Sequence, residues 1–309
     1  MDQAEQRPQE ESKTSTLGDQ DYPLSEDMED VTYLNARFTK IENLNLCPNL
    51  LRLCLRRNLI TKIEGLEHVP QLEELELYDN RIQKIENLST LQNLKILDLS
   101  YNLIKEIEGL ENLLSLRKMF LVANRIKKIQ NLESLVSLET LDLGSNKIAK
   151  IEGVHNLTNL TELWLAKNRI TDIENLDNLT NLEVLSLAAN KLTAISKLEA
   201  LTKLNQLLLN ENFIVEIGGL ENLAELELLD LSDNKIAQLK NLDHLQCLED
   251  LWLTANKIEN FSDLDYLARI PSLKTIYLER CPVYFYPNYK MRIREVCPNI
   301  KQIDAVAVN

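Results

Sequence analysis

Few side chains in this sequence could carry covalent chemistry. The three histidines, His68, His155 and His244, lie far apart in the chain. A general base must reach its nucleophile within hydrogen-bond distance, so these rings are expected to be separate surface groups. The five cysteines, Cys47, Cys54, Cys247, Cys281 and Cys297, form no CxxC pair and follow no ligand spacing. They read as reduced thiols, neither a zinc site nor a disulfide framework. No GxGxxG, GxxxxGK[ST] or GxSxG stretch is present to cradle phosphate or raise a nucleophile. The sequence therefore points to no enzyme, cofactor or metal. Its distinctive chemistry is noncovalent. Both tryptophans, Trp164 and Trp252, share one position of a repeating pattern with Phe120, Leu208 and Tyr277. Carboxylates Glu76, Asp98, Asp142 and Asp230 occupy the same position in the intervening copies. Aromatics and acids in one file suit the recognition of a protein partner.

The pattern that places them has a period of 22. Leu72-x-x-Leu75-x-Leu77-x-x-Asn80-x-Ile82-x-x-Ile85 returns as Leu94-x-x-Leu97-x-Leu99-x-x-Asn102-x-Ile104-x-x-Ile107. The asparagine recurs at 58, 80, 102, 124, 146, 168, 190, 212, 234 and 256. Degenerate copies flank these ten, with Ala36 and Cys281 in the asparagine slot, so twelve repeats are expected. Leu-x-Leu alternation makes each repeat one short strand with its leucines on one face. The later apolar slots, three apart, suit 3₁₀-like or short helical turns. One repeat cannot bury seven apolar slots alone, so neighbours must stack. The expected fold is an α/β solenoid, a horseshoe with a parallel concave β-sheet and a 3₁₀ or helical convex side. At about 4.8 Å per strand, twelve repeats span roughly 55 Å of arc.

This geometry predicts which residues face a partner. Between the last two leucine slots the side chain points away from the core, giving the file Thr32, Cys54, Glu76, Asp98, Phe120, Asp142, Trp164, Ser186, Leu208, Asp230, Trp252, Tyr277. Residues two earlier on the same strand, Glu162 and Asp250, face the same way. Tyr78 and Tyr101 lie just past their strands, and Arg52, Arg56 and Arg57 make a basic end. The large apolar members of the file, Phe120, Trp164, Leu208, Trp252 and Tyr277, are expected to be exposed.

The formal charge of the 309 residues is −14, and residues 1–30 hold ten acids against two bases. Such a chain repels polyphosphate, so no nucleic-acid partner is expected. No apolar run approaches the roughly 18 residues of a membrane span. Residues 1–27 read as a disordered acidic tail that supplies no apolar slot, 28–281 as the solenoid, and 282–309 as a C-terminal cap. Met1 to Gln20 has no apolar h-region, which argues against secretion.

The pattern is that of the leucine-rich repeat. Pro287 to Asp304 resembles the C-terminal cap of intracellular leucine-rich repeat proteins, with Cys297 where that cap usually has Leu. The uniform period, the phrases Ile85–Leu88, Ile107–Leu110 and Ile173–Leu176, the acidic leader and the cap together resemble the leucine-rich repeat regulatory subunits of protein phosphatase 1. The resemblance implies a noncatalytic regulator, monomeric on its own, nuclear and cytoplasmic, that engages the phosphatase catalytic subunit through its concave face. It further implies a ternary complex with a second phosphatase inhibitor. Carried onto this chain, the contact positions are Asp98, Phe120, Asp142, Trp164, Asp230, Asp250, Trp252 and Tyr277. Glu76, Tyr78, Glu162 and Leu208 extend the same face. The short basic-Val/Ile-x-Phe/Trp docking peptide of many phosphatase regulators is absent from the sequence. An adaptor of the same fold for a spliceosomal, axonemal or cytoskeletal partner is the alternative expectation.

Overall fold

The computed structural model describes residues 15–308. Twelve three-residue strands, β1 (Asp30–Thr32), β2 (Arg52–Cys54), β3 (Glu74–Glu76), β4 (Ile96–Asp98), β5 (Lys118–Phe120), β6 (Thr140–Asp142), β7 (Glu162–Trp164), β8 (Val184–Ser186), β9 (Gln206–Leu208), β10 (Leu228–Asp230), β11 (Asp250–Trp252) and β12 (Thr275–Tyr277), pair in parallel and in sequence order. Register is repeat on repeat: Leu75 pairs with Leu97, and Leu97 with Met119. Each strand buries its middle residue and turns its two outer residues to the concave side. The seven apolar slots of one repeat, Leu94, Leu97, Leu99, Ile104, Ile107, Leu110 and Leu113, are fully buried, and equivalent residues form one continuous core. The solenoid expected from the repeat is therefore the fold. Its return arms are leaner than a helical convex side. Successive i→i+3 turns, such as Leu91 N–H to Leu88 O (3.0 Å) and Leu94 N–H to Leu91 O (3.1 Å), replace helices in most repeats. The three-residue insertion after Asn256 lets a 3₁₀ segment form at Phe261–Arg269.

An asparagine ladder binds the repeats together. Asn102 accepts the Ile82 N–H through Oδ1 (2.9 Å) and donates to Leu77 O of the preceding repeat (3.0 Å) and Leu99 O of its own (3.1 Å). The buried amide is thus satisfied by backbone groups that no strand partner reaches. Cys281 holds the slot with a thiol, donating to Leu253 O (3.1 Å) and accepting from Asn256 N–H (3.3 Å). A second file lies on the convex side, where left-handed backbone is required in every repeat from Asn43 to Asn241. Asn43, Asn87, Asn131, Asn175 and Asn241 alternate with Gly65, Gly109, Gly153 and Gly219, with Lys197 breaking the alternation. The asparagines donate to the preceding repeat, as Asn131 does to Ile107 O (2.7 Å). At the glycines a Cβ would come within 2.5–2.8 Å of the equivalent carbonyl. This explains the alternating Ile-Glu-Asn-Leu and Ile-Glu-Gly-Leu phrases.

The amino-terminal boundary differs from the sequence expectation. Residues 15–27 are not a free tail, because Leu17 is fully buried against the first repeat and its carbonyl accepts from Asn43 Nδ2 (2.7 Å). Asp19 Oδ1 receives the N–H groups of Asp21 and Tyr22 (2.9 and 3.0 Å), closing a tight turn. Tyr22 meets Tyr33 and Phe38 edge-on, with ring centroids 5.2 and 4.9 Å apart. The open end of the first repeat needs an apolar cover, and this segment supplies it. The remainder of the predicted tail, residues 1–14, lies outside the described residues.

At the other end, helix α1 (Tyr289–Val296) lays Ile293 and Tyr289 on the last repeat, and Arg292 pairs with Asp265 at 2.7 Å. Strand β13 (Gln302–Ile303) extends the parallel sheet, and β14 (Val306–Ala307) turns back antiparallel. Asp304 is fully buried. Its Oδ1 accepts the Leu278 N–H (2.8 Å), while Tyr289 Oη donates to Oδ2 and Lys290 lies 3.4 Å away. The carboxylate satisfies an N–H of β12's repeat that in earlier repeats is taken by the backbone of the next one.

Candidate interaction face

The strand register brings the predicted file together. Glu76 is aligned with Asp98, then Phe120, Asp142, Trp164, Ser186, Leu208, Asp230, Trp252 and Tyr277 on successive neighbouring strands. Glu162 and Asp250 lie two residues earlier on their strands, on the same face as Trp164 and Trp252. The expectation that the large apolar members are exposed is corrected. Phe120, Trp164, Leu208, Trp252 and Tyr277 are half-buried, and Asp98 and Asp230 are only 8% and 7% exposed. The concave sheet holds neighbouring side chains one strand spacing apart, so each covers the next.

Several acids already have partners within the chain. Asp98, Asp142 and Asp230 each fold Oδ1 back onto the N–H two residues on, at Ser100, Gly144 and Ser232, all at 2.9 Å. These Asx-type turns steer the chain out of its strand. Arg56 Nη2 sits 2.7 Å from Glu76 and 3.7 Å from Asp98, and its guanidinium lies 5.9 Å from the Tyr78 ring centroid. Tyr78 in turn packs on Tyr101 at 4.9 Å. The sequence marked Arg56 as part of a basic end; its partners one and two repeats away emerge only from the stacking. The same crowding pushes the Cys54 thiol up to about 12, through burial and the bond to Glu76.

The middle and carboxy-terminal half is less satisfied. Among the described residues Asp142, Asp230 and Asp250 have no cationic partner. Burial raises the carboxyl groups of Asp142 and Asp230 above the ordinary carboxylate value, partly offset by the backbone N–H each accepts. Trp164 Nε1 donates to Glu162 (3.1 Å), which fixes that indole across the sheet. Trp252 meets Tyr277 edge-on at 6.0 Å, and its buried Nε1–H has no acceptor. Tyr277 is held by Gln302 of the cap. A basic or carbonyl-bearing surface entering this hollow meets unpaired carboxylates flanking pre-positioned aromatic faces.

The histidines do not converge: His244 Nε2 bonds Leu220 O at 2.9 Å and His68 lies beside Glu67 on the surface. Among the described residues no group of His, Cys, Asp and Glu could hold a metal ion, and no helix is long and apolar enough to cross a membrane.

Comparison with known proteins agrees with the repeat geometry. A leucine-rich repeat family model (two copies per unit) matches residues 70–112, 114–156 and 158–202, and a second leucine-rich repeat model matches 208–309. The chain belongs to the leucine-rich repeat proteins. No catalytic family is among the matches, and no curated protein matches the chain. Solved structures share the fold. An internalin from Listeria monocytogenes is 24% identical, with 92% of this chain and 88% of that one covered and a TM-score of 0.72. A leucine-rich repeat protein of Leptospira interrogans is 26% identical over 84% of this chain and 73% of its own, with a TM-score of 0.68. The plant peptide hormone receptor RGFR1, in complex with RGF2, is 24% identical over 85% of this chain and 44% of the receptor, with a TM-score of 0.63.

Proposed function

We propose that this leucine-rich repeat protein is a noncatalytic regulatory subunit of protein phosphatase 1, of the regulatory subunit 7 type. It grips the phosphatase catalytic subunit in its concave face and controls that enzyme's activity, assembly or location in nucleus and cytoplasm. A protein-binding scaffold is the general role of the fold, and the receptor named above carries a peptide. The phosphatase is suggested by the sequence resemblance. The observation that carries the reading is the file from Phe120 to Tyr277, where Phe120, Trp164, Trp252 and Tyr277 stand beside Asp142 and Asp230, carboxylates that lack cationic partners among the described residues. Partly desolvated aromatics beside unpaired acids are what hot-spot interfaces use.

Isothermal titration calorimetry with purified phosphatase catalytic subunit tests it. Trp164→Ala and Trp252→Ala should each cost about 2 kcal/mol of binding or more. The return-arm controls Glu108→Ala and Glu174→Ala should cost nothing, since both lie across the solenoid from the sheet. Tight binding by the double tryptophan variant, or no binding by the unaltered chain, rejects the assignment. An adaptor for another protein would then be the reading to pursue.

A further inference from the structure

A second surface, on the edge where the chain leaves the asparagine ladder, has the opposite chemistry. The residue after each ladder asparagine donates its N–H to the preceding repeat: Arg125 to Ile104 O, Lys147 to Ile126 O, Arg169 to Ile148 O, Lys191 to Ile170 O, all at 2.8 Å. These four cations therefore stand in one file on successive repeats, each bonded through its N–H to the residue beside the preceding member or its equivalent, and all are exposed. Lys127 and Lys167 flank them, also exposed. From the residue before each asparagine to the third after it, the four repeats hold no carboxylate. Among the described residues none of the six cations has an ion-pair partner, whereas other bases such as Arg117 and Lys240 do. Repeats spaced about 4.8 Å apart along the backbone hold these like charges within reach of one another, inside a Debye length of about 8 Å, so they repel. In a chain of net charge −14, this row stands unneutralised.

The file ends on an apolar step. At the next repeat the two edge positions are Phe213 and Val215, 46% and 55% exposed. Lys235 lies 4.8 Å above the Phe213 ring, so the cationic row resumes beyond it. Cations leading into an exposed aromatic match a ligand with acids leading into an apolar side chain. Arg125 to Phe213 spans roughly 19 Å, the length of about six extended residues.

We propose that this edge is a docking strip for an extended Asp/Glu-rich protein segment carrying one apolar anchor, bound independently of the concave face. Its acids neutralise Arg125, Lys147, Arg169 and Lys191, and its anchor covers Phe213. The full chain would be titrated into a fluorescein-labelled peptide of about ten residues, Glu-rich with one internal Phe, read by anisotropy at about 50 and about 200 mM salt. Binding should be saturable and weaken with salt. The triple variant Arg125→Glu, Lys147→Glu, Arg169→Glu should lose at least about tenfold, the milder Arg125→Gln, Lys147→Gln, Arg169→Gln several-fold, and Phe213→Ser about threefold. A charge-matched control, Lys40→Glu, Lys197→Glu, Lys301→Glu, should bind as the parent, with circular dichroism unchanged in each case. No saturable binding at low salt, an equal loss in the control, or unaltered binding by the glutamine variant overturns the proposal. So does tighter, strip-dependent binding of single-stranded DNA or anionic vesicles than of the peptide.

Discussion

Asp142 and Asp230 hold their charges where burial resists them, and each spends one oxygen on its own turn. An asparagine at either position keeps the Oδ1 acceptor and removes the charge. Burial raises both groups, so each is easier to hold protonated in the fold than in the unfolded chain. Their contribution to stability is fully present below the ordinary carboxylate value of 3.8 and is lost as pH rises through the raised folded value. Asp142→Asn and Asp230→Asn should therefore melt at or above the parent at pH 7. The difference should shrink as pH falls toward 3.8, in thermal melts followed by circular dichroism. If the proposed phosphatase partner is right, both should bind its catalytic subunit more weakly at pH 7. A clear loss of melting temperature at pH 7 would mean that the carboxylate charge itself supports the fold. Which residues share the concave file was legible in the sequence, because a period of two and a period of 22 fix it. Which of them are already occupied was not. Arg56 reaches Glu76 and Asp98 across repeats, and no spacing rule gives the reach of one side chain over its neighbours.

Each repeat's local conformations are set by the repeats on either side of it. Gly109 has φ +67°, and an added Cβ would meet Ile85 O at 2.8 Å. Gly109→Ala should destabilise by roughly 1–3 kcal/mol in urea unfolding, the range for backbone strain of this kind. Gly109→Asn should be milder, since an asparagine at the equivalent slot of the neighbouring repeats donates to that same carbonyl position. If the two variants are equally destabilised, steric approach alone governs the file. The leucine slots announced the strands and the core, and the asparagine slot marked the period. The left-handed residue before each ladder asparagine is hidden, because Arg57, Asp79, Tyr101, Ala123 and Lys167 fill it without a common type. Their N–H groups bond to the following repeat, as Asp79 does to Ser100 O (2.9 Å), so stacking imposes the conformation that composition does not announce. Of the two forms that a spacing of three allows on the return arms, single 3₁₀-like turns are the ones most repeats adopt.

A solenoid's stability is close to a sum of repeat and interface terms, so its ends are its weak points. Both ends here are covered by segments outside the repeat pattern, and only one was legible beforehand. Apolar residues follow one another closely from Tyr289 to Ile303, whereas Leu17 and Tyr22 are diluted among acids in a stretch whose composition reads as disordered. Removal of residues 1–29 should strip Leu17 and Tyr22 from the first repeat and expose Phe38 and Leu44. Hydrogen exchange should then rise around Val31–Leu55 and fade toward the middle of the chain. Unchanged protection there would restore the reading of a passive tail. At the far end, Asp304→Ala leaves the Leu278 N–H, the Tyr289 hydroxyl and Lys290 without their shared acceptor. Lys290 is partly exposed, so the main cost is that of a buried N–H and a buried hydroxyl left without an acceptor, about 1–3 kcal/mol each. Because coupling runs only between neighbours, that loss should fray β11 and β12 and loosen Trp252 and Tyr277, while Leu75–Leu121 keeps its protection. If the concave face binds the phosphatase as proposed, the variant should accordingly lose that affinity without any change inside the concave file. Cooperative unfolding of the whole chain in Asp304→Ala would instead show that the caps hold the solenoid as one unit.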